Sequence, residues 1–424
     1  MRQTDRHFKF DWLTIFLFFL LVGFGWLNIL SASQNGDEIT ILNFTTSYGK
    51  QLVFIGLTCI LILLILAIDS KFYERFSSII YIIGLALLVG VLLFGKTING
   101  ATSWYAIGPM TLQPSEFVKA ATALAVAKYI SDLNTDIAKL KDQLRTILII
   151  AIPALLILLQ NDTGSMLVYG AFFFVLYREG LPKYYLWIII FIAVVSISAL
   201  KFNVLPTILV VTILLFGFYF FKRKKVKISL PIGLLLLCLA LSFSVKFFYN
   251  NILQPHQQDR ISLWLRLEKD PEKLERMKKT FAYNLNESEK AISSGGLKGK
   301  GFLEGTRTTG KFVPEQDTDY IFTTVGEEWG FLGSFAVVLV FVILIIRILH
   351  LAELQKSQFS RVYGYSVAAI FFFHFMINIG MVMGLIPTIG IPLPFFSYGG
   401  SGLWGFTILL FIFIKLDSNR INEW

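Results

Sequence analysis

Residues 12–30 read WLTIFLFFLLVGFGWLNIL, a run without a single Asp, Glu, Lys or Arg. As a helix rising 1.5 Å per residue, such a run is long enough to cross the ~30 Å hydrocarbon core of a bilayer. It is too long for a signal-peptide core, so it reads as a retained first span. Residues 331–349, FLGSFAVVLVFVILIIRIL, repeat the pattern far along the chain, interrupted only by Arg347. Runs of the same kind between and beyond these two give spans near 12–31, 52–68, 78–95, 115–130, 146–160, 164–177, 184–200, 204–221, 228–248, 331–349, 362–386 and 400–416. Helices are expected throughout, because unpaired backbone is costly in lipid.

The composition agrees. Of 424 residues, 55% are hydrophobic and 16% charged, 41 are Phe, and the mean hydropathy is +0.67. That balance excludes a soluble protein and points to an all-α polytopic membrane protein, read as a single integral membrane domain over residues 1–424. The net charge of +10 is explained by where the cations fall, so it carries no argument for nucleic acid. With both termini cytoplasmic, the short inner loops hold Arg2, Arg6, Lys9, Lys71, Arg75, Lys139, Lys141, Arg145, Arg178, Lys183, the cluster at 222–227, Lys356, Arg361 and Arg420. The short outer loops then hold little beyond Lys50, Lys96 and Lys201, which is the asymmetry the positive-inside rule demands. Cys59 and Cys238 both lie inside apolar runs, so neither a disulfide framework nor a cysteine metal site follows.

This orientation puts the one long hydrophilic segment, residues 250–330, outside the cell. Its first half, residues 259–281, spaces Ile261, Trp264, Leu265 and Leu267 among charges, as an interfacial amphipathic helix or a solvated connector would. Three further segments are too polar to be lipid-facing scaffold alone. Around Gln113-Pro-Ser-Glu-Phe-Val-Lys119, Ser115 is a candidate helix cap behind Pro114. Glu116 and Lys119 share one helical face, either as an ion pair anchoring the helix end or as part of a site. Asn161-Asp162-Thr-Gly164 is satisfied by an Asx turn, with a site role for Asp162 as the alternative. Glycines, hydroxyls and cations between Ser293 and Lys311 form either a flexible linker or a phosphate cradle, without the spacing of a Walker loop.

Asp319 marks where the chain re-enters the membrane. A carboxylate desolvated on one side is more basic and suits general-base work, while helix capping by Thr318 or Asp319 is the simpler reading. The apolar but helix-breaking stretch 384–402 must be buried or line a cavity. In the span before it, His374 and Asn378 lie one helical turn apart and read as helix-to-helix hydrogen bonders. No HExxH, nucleophile-elbow or Rossmann motif is present.

In this order the segments resemble the SEDS family (shape, elongation, division and sporulation) of bacterial peptidoglycan glycosyltransferases. The resemblance is carried by Gly100-Ala-x-x-Trp104 with Gln113-Pro-Ser-Glu-x-x-Lys119, by Ser294-Gly-Gly-Leu-x-Gly-Lys-Gly301 with Pro314-Glu-x-x-Thr-Asp-Tyr-Ile-Phe322, and by Pro392-Leu-Pro-x-x-Ser-Tyr-Gly-Gly-Ser401. Residues 386–394, Ile-Pro-Thr-Ile-Gly-Ile-Pro-Leu-Pro, are similar to the RodA branch more than to the division branch. Asn161-Asp-Thr-Gly departs from the family's Pro-Asp-Leu-Gly, and Glu287, Lys290 and Ser293 replace its usual Gln, Ile and Gly.

The resemblance implies a bundle of ten core helices, so two of the twelve spans are surplus, placed at 184–250 as an insertion. The large extracytoplasmic loop then precedes the last three helices. It implies polymerisation of lipid II during cell elongation, with undecaprenyl pyrophosphate leaving and the anomeric configuration inverting. Asp319 is implied as the catalytic base. Lys119, Glu116, Lys298, Lys300, Arg307, Glu315, Trp104 and Asp162 are implied around the substrate, with Lys119 near Asp319. A magnesium or manganese ion is an option for which the sequence shows no closed ligand set. A class B penicillin-binding protein and other elongation-complex proteins are the implied partners, and the bacterial cytoplasmic membrane the location. A lipid II flippase, a division-type FtsW-like polymerase and a noncatalytic scaffold for the transpeptidase are the rival readings. The position of Asp319 in an outer loop, not at the membrane midplane, favours the enzyme over the transporter.

Overall fold

The computed structural model describes residues 10–34, 43–98, 100–108, 110–222, 228–253, 255–268, 270–279 and 283–420. Among them, ten helices are long and apolar enough to cross a membrane. The chain runs α1 (Trp12–Ser33), α2 (Ser47–Ala67), α3 (Ser70–Phe94), then three short antiparallel strands, β1 (Lys96–Ile98), β2 (Ala101–Ile107) and β3 (Met110–Leu112). α4 (Pro114–Ile130) and α5 (Leu140–Leu159) follow, then α6 (Thr163–Val168), a 3-10 turn (Tyr169–Ala171) and α7 (Phe172–Arg178). Next come α8 (Tyr184–Phe202), α9 (Val204–Lys222), α10 (Ser229–Asn251), α11 (Pro255–Leu265) and α12 (Pro271–Lys279). The chain closes with α13 (Tyr283–Gly295), α14 (Thr306–Thr309), α15 (Ile321–Glu328), α16 (Gly330–Glu353), α17 (Gln358–Val382) and α18 (Gly400–Asn419).

Helix starts follow the side chains that can take up free backbone N–H groups. Asp11 accepts from the Thr14 amide at α1, Thr46 from Gly49 at α2, Asp69 from Lys71 at α3 and Asp162 from Ser165 at α6. At α4 the expectation fails. Pro114 does occupy the first turn, but the cap position is Gln113, without a side-chain cap bond, and Ser115 lies inside the helix with its hydroxyl buried. At α15 the cap position is Tyr320, so neither Thr318 nor Asp319 caps it.

Two of the twelve expected spans fall outside the ten. α4 is present but only 17 residues long, carrying Glu116, Lys119 and Lys128. The stretch 164–177 is not one helix: the 3-10 turn divides it where Gly170 backs onto Phe373 of α17, whose ring lies 3.4 Å from the place a Cβ would take. The single amphipathic helix expected over 259–281 is two, α11 and α12, because Pro271 cannot continue a helix and instead starts one.

The chain forms two compact units. The larger holds residues 1–181, 287–384 and 388–424; the smaller holds 182–286 and 385–387. Within the larger unit α4 is the hub, packed on α3, α5, α17 and α18. Its alanines at 120, 121, 123, 125 and 127 let neighbours come close, and α18 approaches so tightly that a Cβ at Gly405 would sit 2.7 Å from the Glu116 carbonyl oxygen. In the smaller unit α8, α9 and α10 pack on one another, with Asn203 at φ 69 turning the chain between the first two. The region 184–250 lies wholly in that unit, whereas the hydrophilic stretch 250–330 is divided between the two units at Glu287.

Candidate functional site

The site is built at the end of the larger unit where α1 and α17 finish and α2, α4 and α18 begin. Its floor is the start of α4. Glu116 and Lys119 are 3% and 1% exposed, a depth at which a charge survives only if paired. The Lys119 ammonium donates to Glu116 Oε1 at 2.9 Å and Oε2 at 2.8 Å, its Nζ stands 3.0 Å from His374 Nε2, and it lies 4.8 Å from the centre of the Phe406 ring. Just before the helix, the Gln113 amide donates to Ser401 Oγ at 3.1 Å and its side chain to Asp162 Oδ2 at 2.9 Å. Asp162 thus joins the start of α4 to the start of α6, a structural task in addition to its cap.

The carboxylate segment is held by its backbone. Three consecutive carbonyls are occupied: the Tyr398 amide donates to Asp317 O at 2.8 Å, Ser397 Oγ to Thr318 O at 2.6 Å, and Asn378 Nδ2 to Asp319 O at 2.8 Å. Asn378 also donates to Ile391 O at 2.7 Å, while Ser397 Oγ accepts from the Leu393 amide at 2.9 Å. The residues that grip Asp319 therefore come from α17 and from the helix-breaking stretch 384–402. The half-buried Asp319 aims its carboxylate at that stretch, since a Cβ on Gly390, at φ +81, would meet its Oδ2 at 3.0 Å. Gly164 of α6 backs onto the same turn, 3.0 Å from Gly390 O by the same measure. Glycine is required at 390 by its φ and by the nearness of the carboxylate.

A second polar cluster forms where the loop meets α15. Glu327, fully buried, accepts from Lys300 Nζ at 2.6 Å, from the Arg307 amide at 3.0 Å, and from the amide and hydroxyl of Thr308, both at 2.8 Å. Burial alone would raise its pKa, but Lys300 and the amide and hydroxyl donors outweigh that, and the carboxyl is held below the ordinary value. Its neighbour Glu328 goes the other way: burial pushes its pKa up, aided by the charge of Glu327 and only partly opposed by the Ser31 hydroxyl and backbone donors. Arg307 pairs with Glu287, which Lys290 also reaches at 2.7 Å.

The expected site residues therefore separate. Lys119, Glu116, Asp162 and Asp319 are linked through Gln113, His374, Asn378 and the turn at Gly390. Lys300 and Arg307 are committed to Glu327 and Glu287, while Lys298 is exposed and has no ion-pair partner among the described residues. Trp104 sits on β2 opposite Lys96, and Glu315, at φ 57, lines a cleft of about 460 Å³ with Thr45, Ser47, Lys311 and Asp317. The bonds of Gln113, Ser397, Glu327 and Glu328 are made to partners that the local sequence does not show. All four lie in or beside the quoted motifs, so a polar residue next to a motif was the signal to follow. Among the described residues no group of three or more His, Cys, Asp or Glu side chains could hold a metal ion. Among the described residues the side chains thus offer no closed, all-protein ligand set for a magnesium or manganese ion, a set such ions do not need where one or two carboxylates share them with substrate phosphates.

Fold and site together define a polytopic membrane protein with a carboxylate-centred site at one end of its helix bundle. The family model for FtsW, RodA and SpoVE, described as a cell cycle protein, matches residues 11–204 and 182–422, and the chain belongs to that family. The peptidoglycan glycosyltransferase MrdB of Escherichia coli is 32% identical over 88% of this chain and 84% of its own. The peptidoglycan glycosyltransferase RodA of Treponema pallidum is 28% identical over 97% and 98%. A probable peptidoglycan glycosyltransferase FtsW of Shewanella sediminis is 25% identical over 99% and 89%. Among solved structures, a chain of a peptidoglycan synthase complex superposes with a TM-score of 0.71 at 24% identity, covering 98% of this chain and 99% of that one. Thermus thermophilus RodA superposes with a TM-score of 0.63 at 23% identity over the same shares. At these identities the two structures speak for the fold.

Proposed function

We propose that this chain is a peptidoglycan glycosyltransferase of the RodA type, polymerising lipid II into glycan strands as cells elongate. The 4-hydroxyl of an acceptor GlcNAc attacks C1 of the donor's MurNAc, the glycosidic bond forms as the bond to undecaprenyl pyrophosphate breaks, and the configuration at C1 inverts. Asp319 takes the hydroxyl proton, and the electron pair of the broken bond leaves on the pyrophosphate. The observation that carries this reading is the grip on Asp319. Three successive backbone carbonyls are fixed from two elements while the carboxylate faces the turn at Gly390. A base held this way is pre-placed for proton transfer, an effect worth about 10²- to 10⁴-fold in rate.

In this reading the site end of the bundle faces outward from the cytoplasmic membrane, the orientation that the distribution of Lys and Arg in the sequence favours. Lys119 holds Glu116 at the start of α4 on the side of the site where Asp319 is held, and Lys298, exposed in the glycine-rich turn, is a lesser candidate for contact with pyrophosphate. The chain carries no transpeptidase motif, so cross-linking falls to a separate class B penicillin-binding protein within the elongation machinery. Labelled lipid II, incubated with the purified chain with and without its transpeptidase and resolved on gels, tests the assignment. Long strands are expected. Movement of lipid II between leaflets of reconstituted vesicles without any strands would replace the enzyme with a transporter.

A further inference from the structure

We propose that His374 is a positioning residue for Asp319: with Asn378 it clamps the turn at 391–392 against which the carboxylate is set, acting as a neutral imidazole that carries its proton on Nδ1. The inference rests on the reading of Asp319 as the base. It follows from a proton count at Lys119. An ammonium has three protons and no acceptor. Two go to the two oxygens of Glu116, so the third points at His374 Nε2, 3.0 Å away, which must accept it. The ring then holds its own proton on Nδ1, which donates to Pro392 O at 3.2 Å. One turn further along α17, Asn378 spends both amide protons on Ile391 O and Asp319 O. Two adjacent carbonyls of the turn are thereby fixed from one helix face, and the second rung fixes Asp319 as well. His374 and Asn378 are 1% and 0% exposed, so neither bond competes with water. The Phe406 ring packs edge-on against the imidazole at 4.7 Å, which keeps its plane from turning.

Three substitutions separate the two rungs. In His374→Asn the side-chain amide nitrogen falls near the place of Nδ1 and can still donate to Pro392 O. In His374→Gln the side-chain oxygen can still accept from Lys119, but the Pro392 bond is lost; His374→Phe loses both. With the native protein polymerising lipid II, the clamp predicts that His374→Gln and His374→Phe lower kcat by about 100-fold, the scale of a misplacement near 1 Å. KM should stay within about twofold, because the substrate does not touch the imidazole, and His374→Asn should recover most of kcat. A Gln variant as active as the native protein, or an Asn variant as poor as Phe, overturns the proposal. A spectroscopic arm reads the native protein alone. In ¹⁵N-histidine-labelled protein, the imidazole signal that disappears in His374→Gln is expected to be the neutral Nδ1–H tautomer, and in Lys119→Met to keep that tautomer with its Nε2 resonance shifted by loss of the hydrogen bond. An imidazolium or an Nε2–H tautomer overturns the assignment. That arm stands even if the chain makes no glycan, so failure of the clamp and failure of the enzymatic reading are told apart.

Discussion

The helices α17 and α18 and the helices α8, α9 and α10 all pass the same test for a membrane span, yet they are used in opposite ways. α17 and α18 are the least apolar of the ten, and 72% and 78% of their spans are buried. The spans of α8, α9 and α10 are more apolar and only 11–12% buried. Lipid accepts apolar side chains as readily as a protein core does, so hydrophobicity alone gives a span no reason to go inside. Polar groups do have one. Asn378, His374, Thr407, Lys415 and Asp417 need partners that only the bundle supplies. In α17 and α18 polarity and burial go together, and the site sits where the end of the one meets the start of the other.

The largest break in that contrast is expected at the buried pair. Lys119→Met leaves Glu116 charged and unpaired, at a cost of about 3–5 kcal/mol, read as a fall in melting temperature in detergent. Glu116→Gln combined with Lys119→Met should regain much of the loss, and a double variant no better than the single would show that the pair is not what holds this end together. Next comes packing. Gly405→Ala drives a Cβ into the Glu116 carbonyl at 2.7 Å, whereas Gly233→Ala in α10 meets nothing within 4 Å. The first should cost about 1–3 kcal/mol and the second stay within about 0.5 kcal/mol of native. Equal effects at the two positions would erase the difference between the regions.

A smaller effect is expected from pH. The Glu327 carboxyl is held below the ordinary glutamate value of 4.5. Its stabilisation is thus fully present above 4.5 and fades as the pH falls through the lower folded value. The melting temperature of the native protein should drop on acidification below 4.5 more steeply than that of Glu327→Gln, which has lost this proton-linked contribution at every pH. Parallel curves would remove Glu327 from the loop's anchor.

The contrast also explains how much could be read in advance. Long apolar runs have a local cause, and every expected span has helical structure at its place. What could not be read depended on partners far along the chain. Lys300 and Arg307 look like free cations until Glu327 and Glu287 arrive, 27 and 20 residues away. His374 and Asn378 were legible as a polar pair one turn apart, but Lys119 lies 255 residues from His374 and Asp319 lies 59 from Asn378. Ser115 fits a capping motif by sequence, yet the tight entry of α4, fixed by Pro114 and by Ser401 bonding the Gln113 amide, leaves its hydroxyl inside the helix. The break in 164–177 is equally silent in an apolar run; it falls where Gly170 meets Phe373 of another helix.

The central claim is that the bundle's buried polar centre exists to hold one carboxylate. It is tested most directly by gel-resolved polymerisation of labelled lipid II by the native chain, Asp319→Ala and Asp319→Asn, each with its transpeptidase and each checked for melting temperature. The account predicts strands from the native protein and a loss of about 10²- to 10⁴-fold in both variants at unchanged melting temperature. Native rates from Asp319→Asn, which keeps the shape and loses the base, would contradict it.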